Sequence, residues 1–439
     1  MPTLGTMSQR RPPETTSEAR PAGLRVAMAL YGTVTHDSRV LREAETLSRA
    51  GHTVTIFCLS GTPPEGAPFR TVARAPSRSS VLPDGSSPFL AERESSLWVR
   101  LAGRIRWVVG YSLNIRAWGR WAVATAGDVD VWHAHDFTGL MAVGWAVRAP
   151  CRIVYDSHEI FLETGTAALL PGPLRRLLSA LEGLLARRAV ALVTVNEACA
   201  EVLQRRLRPS RTIIVRNCPP RWTPPDPPSS RLRDAVAVPE THPLVLYHGA
   251  FLRHRGLEEL AEAMLVSGLE RAHLIYLGFG SHRAAVDRLA ADPRFDGRIH
   301  VLDAVPPDEL LEMIAGADVD AIPLQHSTLN HWLCTPNKLW ESLTAGIPVV
   351  VSDFPAMRRI VRDDPAGPLG EVCDPADPGS IGAAIRSYSG SIRSTATAYK
   401  TGVGPLPESA GTGRRSQSGC STPTRVSSAA TALVADLGQ

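Results

Sequence analysis

The chain has 439 residues, which is enough for two domains with separate hydrophobic cores. Apolar residues make up 44 % and charged residues 21 %, as in globular proteins, and a net charge of +4 without a long Lys/Arg run excludes a typical nucleic-acid-binding protein. The seven cysteines form no C-x-x-C pair and follow no secretory signal, so we expect a reducing, cytoplasmic compartment.

Along the chain, residues 1–22 are polar and proline-rich, which predicts a disordered leader. A βαβ unit follows. The apolar runs LRVAMAL at 24–30 and TVTIFCL at 53–59 are typical of buried parallel strands. Between them the apolar residues of VLREAETLSRAGH, at 40–52, recur at helical spacing.

Further strand-like runs, separated by helical stretches, end at His135, Asp156, Val195 and Val215. A proline-rich linker is predicted at 219–243, because such proline density ends regular structure. A second α/β series then begins at Leu244 with the strands LVLYH, HLIYL, IHVL, DVDAI and PVVVS, and with helices that start near Gly256, Ser281, Pro306, Pro336 and Pro355.

The alternation predicts an α/β protein with two Rossmann-like, doubly wound domains, at residues 23–218 and 244–389. Residues 390–439 have a different character, rich in Ser, Thr, Gly, Ala and Arg. We expect this atypical tail to be mostly disordered.

Polar side chains follow several strands of the first domain, where ligands of open α/β sheets bind. HAHD at 133–136 brings His135 and Asp136, and YDSHE at 155–159 brings His158. The first strand is followed by a loop that contains Gly32, Thr35, His36, Asp37 and Arg39. A single histidine at a strand end is more often a structural hydrogen-bonding group, but several polar groups along one edge favour a ligand-binding site.

Three segments of the second domain are candidates for phosphate or nucleotide binding. In YHGAFLRHRGLEEL, at 247–260, a strand ends at His248 and a turn with Gly249 follows. Arg253 and Arg255 lie in the loop before the next helix, although a solvated basic loop would look the same. In LGFGS, at 277–281, Gly278 and Gly280 would let a base or phosphate approach the backbone, or would simply form a tight turn.

The third segment is TPNKLWESLTAGIPVVVSD, at 335–353. Pro336 suits the first turn of a helix, whose free N–H groups suit a phosphate. Asn337 and Glu341 share a face of this helix, and Lys338 lies beside them. Glu341, one turn inside, could accept hydrogen bonds from two ribose hydroxyls. An ordinary amphipathic helix is the alternative.

This third segment, with HAHD, YDSHE and DSRVLREAETLSRAGHTV, resembles the retaining glycosyltransferases of family four, over about residues 24–388. The resemblance implies the GT-B fold, in which two Rossmann-like domains face each other across a cleft. The family pattern has two glutamates eight positions apart. Here the second is Glu341 and the first position is Leu333, as in a branch with a PNK-x-x-E motif. Ala250 replaces the family's arginine after the glycine, and Arg255 stands at the usual lysine.

The resemblance implies transfer of a sugar from a nucleotide-diphosphate donor to a hydroxyl of a glycan, glycolipid or small-molecule acceptor, with retention of the anomeric configuration. It places the donor on the three segments of the second domain and the acceptor beside the strand-end residues Gly32, Thr35, Asp37, Asp136 and His158 of the first. It also assigns catalytic roles to three residues. Glu341 would orient the nucleotide, Arg255 would stabilise the diphosphate with Lys338, and His135 would contact the sugar. It implies no cofactor and no metal ligand. A GT-B sugar-nucleotide epimerase and a non-catalytic nucleotide-sugar-binding paralogue remain alternatives.

Residues 97–124 are rich in Trp and Arg. Leu97, Leu101, Ile105, Val108 and Val109 form one helical stripe, with Arg100 and Arg104 off it. Basic amphipathic helices with Trp often lie on anionic membranes, so peripheral contact with the inner face of a membrane is one interpretation. A core helix of the first domain is the other.

Overall fold

The computed structural model describes residues 23–35, 37–75, 97–364 and 367–389. In this part of the chain, two parallel β-sheets are covered by helices. None of the described helices combines the length and the apolar character needed to cross a membrane.

The first sheet has seven described strands in the order β3-β2-β1-β4-β5-β6-β7, and every neighbouring pair is parallel. The strands are β1 (Arg25–Leu30), β2 (Thr53–Cys58), β3 (Arg70–Ala73), β4 (Val131–His135), β5 (Arg152–Ser157), β6 (Ala191–Thr194) and β7 (Thr212–Ile214). Its helices are α1 (Ser38–Arg49), α2 (Leu97–Ala126), α3 (Asp136–Val143), α4 (Gly165–Ala168), α5 (Gly172–Ala186) and α6 (Glu197–Leu207).

Helices cover both faces of this sheet. One core contains buried residues of α2, α3 and α5, such as Trp118, Phe137 and Leu185, and the other contains the apolar stripe of α1. Helix α3 lies close to α2, since a Cβ added at Gly119 would be 1.7 Å from the carbonyl oxygen of Ala142. The strands are apolar on both sides because both sides are covered.

The second sheet has six described strands in the order β10-β9-β8-β11-β12-β13, again all parallel. A short helix α7 (Arg231–Val236) precedes it. The strands are β8 (Leu244–Ala250), β9 (His273–Phe279), β10 (Ile299–Leu302), β11 (Val319–Ile322), β12 (Val349–Ser352) and β13 (Gly370–Cys373). The helices are α8 (Leu257–Ala263), α9 (Arg283–Ala290), α10 (Leu310–Ile314), α11 (Leu329–Leu333), α12 (Asn337–Thr344), α13 (Pro355–Val361) and α14 (Pro378–Ser389).

Each sheet has a point where the chain reverses its direction of winding. Strand β1 lies between β2 and β4, and β8 lies between β9 and β11. At such a point the loops from the carboxyl ends of the two strands leave towards opposite faces and open a crevice. The register places Leu30 beside His135 and His135 beside Asp156, so the predicted acceptor-side residues share one edge.

The predicted fold of two doubly wound α/β domains is confirmed, while the exact domain boundaries stay predictions. The predicted leader (1–22) and tail (390–439) lie outside the described residues, as does His36. In α2, the side chains through position 107 are also outside that part, so most of the predicted stripe is not described. Val109 is exposed, and the buried stripe contains Ile115, Trp118 and Ala122.

Candidate active site

Helix α12 begins one residue after Pro336, whose extended backbone turns the chain into the helix. The helix ends with Ala345 and with Gly346 in the left-handed region at φ 77°. Among its side chains, Lys338 and Glu341 lie on the first turn and a half. The predicted start and end of this helix are therefore confirmed, and its first N–H groups have no partner within the helix.

Glu341 is held by a histidine that sequence analysis did not identify as functional. His248 is buried near the end of β8, with Nε2 3.2 Å from Glu341 Oε2 and Nδ1 3.3 Å from Asp320 Oδ2. Ser342 donates to the same Asp320 oxygen at 2.6 Å. Burial alone would lower the pKa of His248, but the charges of Asp320 and Glu341 raise it to about 9.

The charge of Glu341 is stabilised in return. Burial raises the pKa of Glu341, but the hydrogen bond and charge of His248, with the charges of Arg42 and Lys338, lower it below its ordinary value. Glu341 is therefore an ionised, oriented acceptor, and its side chain is 16 % exposed. Such a group can accept hydrogen bonds from two hydroxyls of a ligand.

Lys338 lies against the end of β8. Its Nζ is 3.4 Å from the centre of the Tyr247 ring, and its Cε is 3.4 Å from where a Cβ on Gly249 would be. Gly249 has φ 106°, a value that side chains disfavour. In the described part of the chain Lys338 has no carboxylate at ion-pair distance, and burial lowers its pKa to about 7.

This lysine predicts that nucleotide binding depends on pH. A diphosphate favours the charged ammonium, so its binding takes up a proton wherever the empty protein has Lys338 neutral. We expect the affinity for UDP or ADP, measured by calorimetry, to be highest near pH 7 and to fall by up to about tenfold per pH unit between pH 7 and 9.

The control is Lys338→Gln, which should bind more weakly at pH 7 and lose this slope. A wild-type affinity that stays constant from pH 7 to pH 9 would contradict the assignment of Lys338 to the phosphates.

The arginine loop follows β8. Arg253 is exposed, whereas Arg255 is half-buried just before Gly256. Gly256 is required here, because it has φ 71° and a Cβ would lie 2.0 Å from the carbonyl oxygen of Pro323. Burial and Asp136 raise the pKa of Glu159 on the first sheet's side, and the charge of Arg255 opposes that rise. Arg255 is therefore close to residues of both sheets.

Gly278 and Gly280 have roles within the fold itself. A Cβ on Gly278 would be 1.9 Å from the carbonyl oxygen of Gly249, its partner on β8, and one on Gly280 would be 2.3 Å from that of Phe251. The close approach that sequence analysis assigned to a base or phosphate is thus also an approach of the protein's own backbone.

Leu333, at the position of the family's first glutamate, is buried against the first domain. Leu333 is 8 % exposed and packs against Ile160 and Cys199, and its carbonyl oxygen accepts a hydrogen bond of 2.8 Å from Asn196 Nδ2. A leucine fits this apolar contact between the two halves, and a carboxylate would not.

Leu333→Glu is therefore expected to destabilise the protein by on the order of 3 kcal/mol, because it buries a carboxylate among apolar groups. Urea unfolding measures this cost. Leu265→Glu, at a leucine that is 43 % exposed, is the matched control and should change the free energy of unfolding by less than about 0.5 kcal/mol. Equal effects of the two substitutions would show that Leu333 does not occupy a closed contact.

On the first sheet, a chain of buried charges begins in α1. Arg39 donates to both oxygens of Asp156, at 2.9 and 2.7 Å, and to the carbonyl oxygen of Val215 at 2.7 Å. It also lies 3.2 Å from Glu43. All these side chains are 4 % exposed or less. Burial, and then the charge of Asp156, raises the pKa of Glu43, and the Arg39 charge opposes that rise.

The chain of charges continues to the surface through His158. Its Nε2 is 3.1 Å from Asp156 Oδ2, and its Nδ1 is 3.6 Å from Asp136 Oδ2. Burial lowers the pKa of His158, but Asp136 and Asp156 together raise it to about 10, so the ring is an imidazolium. Exposure rises along the series, from 0 % at Asp156 to 15 % at His158 and 31 % at Asp136.

His135 occupies a different place from the one expected of a sugar-contacting group. Its side chain is 0 % exposed, stacks on His133 with ring centres 4.5 Å apart, and has Nδ1 3.1 Å from His158 Nε2. Burial lowers its pKa. In this conformation His135 contacts His158 from the buried side. A direct contact of His135 with a sugar would require the site to open.

The loop after β1 is held by its own hydrogen bonds. Asp37 caps α1 by accepting from Val40 N at 3.1 Å, and Thr35 Oγ1 accepts from Thr62 N at 3.3 Å. Gly32 follows β1, where its carbonyl oxygen accepts from Leu59 N at 2.9 Å. These three predicted acceptor-side residues lie at the same sheet edge, but each described contact is internal to the fold.

A metal ion fits this edge poorly. Glu43, His133, His135 and Asp156 offer ligand atoms within 4.8 Å of one another. Both oxygens of Asp156, however, already accept hydrogen bonds from the guanidinium of Arg39. A metal ion there would have to displace the buried Arg39 guanidinium from Asp156, whose Oδ2 lies 3.5 Å from His135 Nδ1.

The two edges are joined by hydrogen bonds between loops of the first sheet and the segment α11–α12, of which three are 3.1 Å or shorter. Ile160 N donates to Asn330 Oδ1 at 3.1 Å, and Asn196 donates to Leu333 as above. Asn217 Nδ2 donates to Asn337 Oδ1 at 3.0 Å, and Arg42 Nη1 donates to Asn217 Oδ1 at 2.9 Å. We call the three bonds donated by Ile160, Asn196 and Asn217 to the second domain the interdomain clasp. They bring the start of α12 beside the carboxyl edge of the first sheet.

Both halves of the chain match families of known proteins. Residues 36–218 match the family model of the glycosyl transferase 4-like domain, and residues 242–389 match that of the glycosyl transferases group 1. A D-inositol 3-phosphate glycosyltransferase of Xylanimonas cellulosilytica is 28 % identical over 268 residues, which cover 57 % of this chain and 61 % of that protein's length.

Solved structures share the fold at low sequence identity. Sucrose-phosphate synthase from Thermosynechococcus elongatus is 17 % identical with a TM-score of 0.57, over 86 % of this chain and 94 % of the other. HepE of Anabaena in complex with UDP is 13 % identical with a TM-score of 0.61, over 86 % and 93 %. The catalytic domain of starch synthase IV from Arabidopsis thaliana, bound to ADP and acarbose, is 14 % identical with a TM-score of 0.58, over 87 % and 94 %.

Proposed function

The chain belongs to the glycosyl transferases of group 1, with a 4-like domain in its N-terminal half, and we propose that it transfers a sugar from a nucleotide-diphosphate sugar to an acceptor hydroxyl. One observation carries the proposal. An ionised carboxylate and a lysine that pairs with no carboxylate among the described residues lie on the first turns of α12, and the interdomain clasp holds that helix start beside the polar edge of the first sheet.

On the donor side, each group has a task that its surroundings support. Glu341, fixed by His248, accepts hydrogen bonds from the ribose hydroxyls. Lys338 and the first N–H groups of α12 bind the diphosphate, with Arg255 nearby. As the bond to the sugar breaks, negative charge grows on the diphosphate. Fixed cations there therefore stabilise the transition state more than the bound donor.

On the acceptor side, the first sheet supplies His158 and Asp136, supported from below by His135. We propose retention of the anomeric configuration. The acceptor hydroxyl attacks from the face that the diphosphate leaves, and a donor phosphate oxygen takes up its proton. This geometry uses the diphosphate itself as the base and needs no protein carboxylate at the anomeric carbon.

The test incubates the purified protein with UDP-, ADP- and GDP-sugars, with and without a panel of sugar, cyclitol and lipid-linked acceptors. Release of nucleoside diphosphate that depends on an acceptor, with a product whose anomeric configuration NMR shows to match the donor, supports the proposal. A rearranged sugar formed without an acceptor would indicate an epimerase. Nucleotide binding without any turnover would indicate a non-catalytic paralogue.

We also propose that the first domain contacts an anionic membrane surface. On α2, Val109 and Leu113 are 52 % and 60 % exposed, and Arg116 and Arg120 continue the same helical face. On α5, Leu177 and Leu184 are 66 % and 47 % exposed. Trp145, at the end of α3 between these helices, is 40 % exposed and lies under the Arg116 guanidinium at 5.6 Å.

The charges of this apolar and basic face have one sign. Helix α2 contains no acidic residue, and the only one in α5, Glu182, is buried and accepts a hydrogen bond from Tyr155. Exposed arginines flank the leucines: Arg116, Arg120, Arg148, Arg176 and Arg187. Exposed apolar side chains among cations, on two helices whose sequences contain no exposed acid, favour the interface of an anionic bilayer.

Vesicle flotation tests the contact. The protein should float with phosphatidylglycerol-containing vesicles and much less with pure phosphatidylcholine, and Leu113→Ser with Leu177→Ser should weaken the binding. Leu265→Ser, at an exposed leucine of the second domain, is the control. Equal recovery with both vesicle types, or no effect of the double substitution, would refute a contact through this face.

A further inference from the structure

Three histidines lie side by side at the edge of the second sheet where its strands begin, and we call them the histidine row. His242 lies two residues before β8, His273 is the first residue of β9, and His300 is the second residue of β10. These three strands are neighbours in the sheet. Because the candidate active site is at the carboxyl ends of the strands, the histidine row is at the opposite edge.

Hydrogen bonds join the rings of the histidine row to one another. Nδ1 of His242 is 3.0 Å from Nε2 of His273, and Nδ1 of His273 is 2.9 Å from Nε2 of His300. The ring planes are within 26° of parallel in the first pair and within 21° in the second. The central ring, that of His273, therefore uses both of its nitrogens inside the row.

Such a row can hold one extra proton but not two. A neutral imidazole donates from one nitrogen and accepts at the other, whereas an imidazolium donates from both. With no extra proton, or with one on any of the three rings, both contacts can still pair a donor with an acceptor. A second extra proton makes two N–H groups face each other in at least one contact.

The surroundings of the central ring act in the same direction. Burial comes first, followed by the charges that His300 and His242 acquire on protonation and by the charges of Arg298 and Arg233. Together they lower the pKa of His273 to about 4. Burial also lowers the pKa of His300. The folded row therefore resists protonation.

The two arginines are fixed in place by the elements beside the row. Arg233 of α7 donates to the carbonyl oxygen of His242 at 2.8 Å, and Arg298, just before β10, donates to that of Ala272 at 3.2 Å. Their charges persist at any pH used for proteins. The other charged residues of the adjoining segments are Glu240, Glu270, Arg271 and Asp318, of which Asp318 lies 3.3 Å from Arg233.

We propose that the histidine row is an acid-sensitive switch of the second domain, complete at neutral pH and broken by a second proton in acid. When it breaks, the beginnings of three neighbouring strands lose the hydrogen bonds that join them. This inference does not depend on the proposed glycosyl transfer, because the row takes no part in the candidate active site.

Proton linkage gives the sign of the effect. An unfolded chain takes up protons on its histidines near pH 6.5, and the folded row refuses two of the three. A folded state that binds fewer protons than the unfolded chain loses stability as the pH falls. The loss should therefore begin near pH 6.5 and continue towards the folded pKa of His273 at about 4.

The experiment measures opening of the second domain by itself. Exchange of the amide hydrogens of β8, β9 and β10 in the full chain, corrected for the intrinsic effect of pH, gives its opening constant from pH 7.5 to pH 5. In His273→Gln the outer rings are separated, and each can take up its own proton in the folded state. The opening constant of the wild type should therefore rise at least about tenfold more over this range than that of His273→Gln.

His326→Gln, at an exposed histidine of the second domain, is the matched control and should follow the wild type. A second measurement needs no stable variant of the central ring. Long-range NMR spectra of the 15N-histidine-labelled wild type distinguish the two neutral tautomers from the imidazolium. At pH 8 all three rings should show the same tautomer, because hydrogen bonds that run in one direction along the row require it.

Three results would overturn the inference. The first is an opening constant of His273→Gln that depends on pH as steeply as that of the wild type. The second is a mixture of different tautomers among the three rings at pH 8. The third is uptake of two protons by the row at pH 5.5 while β8, β9 and β10 stay protected from exchange.

Discussion

Replacing Arg39 by methionine is expected to destabilise the protein by about 3–5 kcal/mol, which is the usual cost of removing one partner from a buried ion pair. Arg39 is the cation that separates the two buried acids Glu43 and Asp156, and its guanidinium also donates to the carbonyl oxygen of Val215. Methionine fills much of the volume but removes the guanidinium, so that Asp156 keeps His158 as its charged partner and the carbonyl oxygen of Val215 loses the hydrogen bond from Arg39. Urea unfolding followed by tryptophan fluorescence measures the loss.

Arg49→Met is the control, since Arg49 lies on the same helix, is 74 % exposed and pairs only with Glu45. It should change the free energy of unfolding by less than about 0.5 kcal/mol. Adding Asp156→Asn to Arg39→Met should recover part of the loss, because the double variant no longer buries a carboxylate that has lost its arginine partner. Strictly additive losses would mean that Arg39 stabilises the fold by packing alone.

The second large effect is expected at the nucleotide. Glu341→Gln should weaken the binding of UDP or ADP, whichever binds the wild type, on the order of ten- to a hundredfold, because hydrogen bonds to a charged group contribute about 1.5–3 kcal/mol. Stability should change little, since His248 keeps Asp320 as a partner at 3.3 Å. Isothermal titration calorimetry measures the affinity and thermal unfolding the stability.

Glu258→Gln, at an exposed glutamate of α8, is the matched control and should leave nucleotide affinity unchanged. An unchanged affinity in Glu341→Gln would remove this residue from the nucleotide site. A large fall in melting temperature would instead show that Glu341 acts mainly as the partner of His248.

The central strands could be predicted from sequence because strands buried on both sides must be apolar throughout. The runs that became β1, β4, β8 and β12 are mostly apolar, with polar residues mainly near their ends, although β4 also has His133 in its middle. The edge strand Arg70–Ala73 was missed for the opposite reason. It pairs on one side only, has four residues and is partly exposed, so its sequence carries no strong apolar signal.

The candidate site could be predicted where a polar residue directly follows a strand, as Asp136 and His158 do. It was not predictable where a role depends on a partner distant in sequence. His248 meets Glu341 across 93 positions, and Asn217 meets Asn337 across 120. No local spacing encodes such pairs. The same reason explains His135, because its burial is decided by His158 from the next strand.

The interdomain clasp has a thermodynamic consequence. Its three hydrogen bonds end on Asn330, Leu333 and Asn337, within the segment that leads into and begins α12, the helix proposed to bind the nucleotide. A ligand that shifts this segment must therefore change the free energy of the domain arrangement. By reciprocity, any restraint on that arrangement must change ligand affinity by the same factor. A crosslink or antibody fragment that fixes the two halves would thus act as an effector, at a distance from the nucleotide.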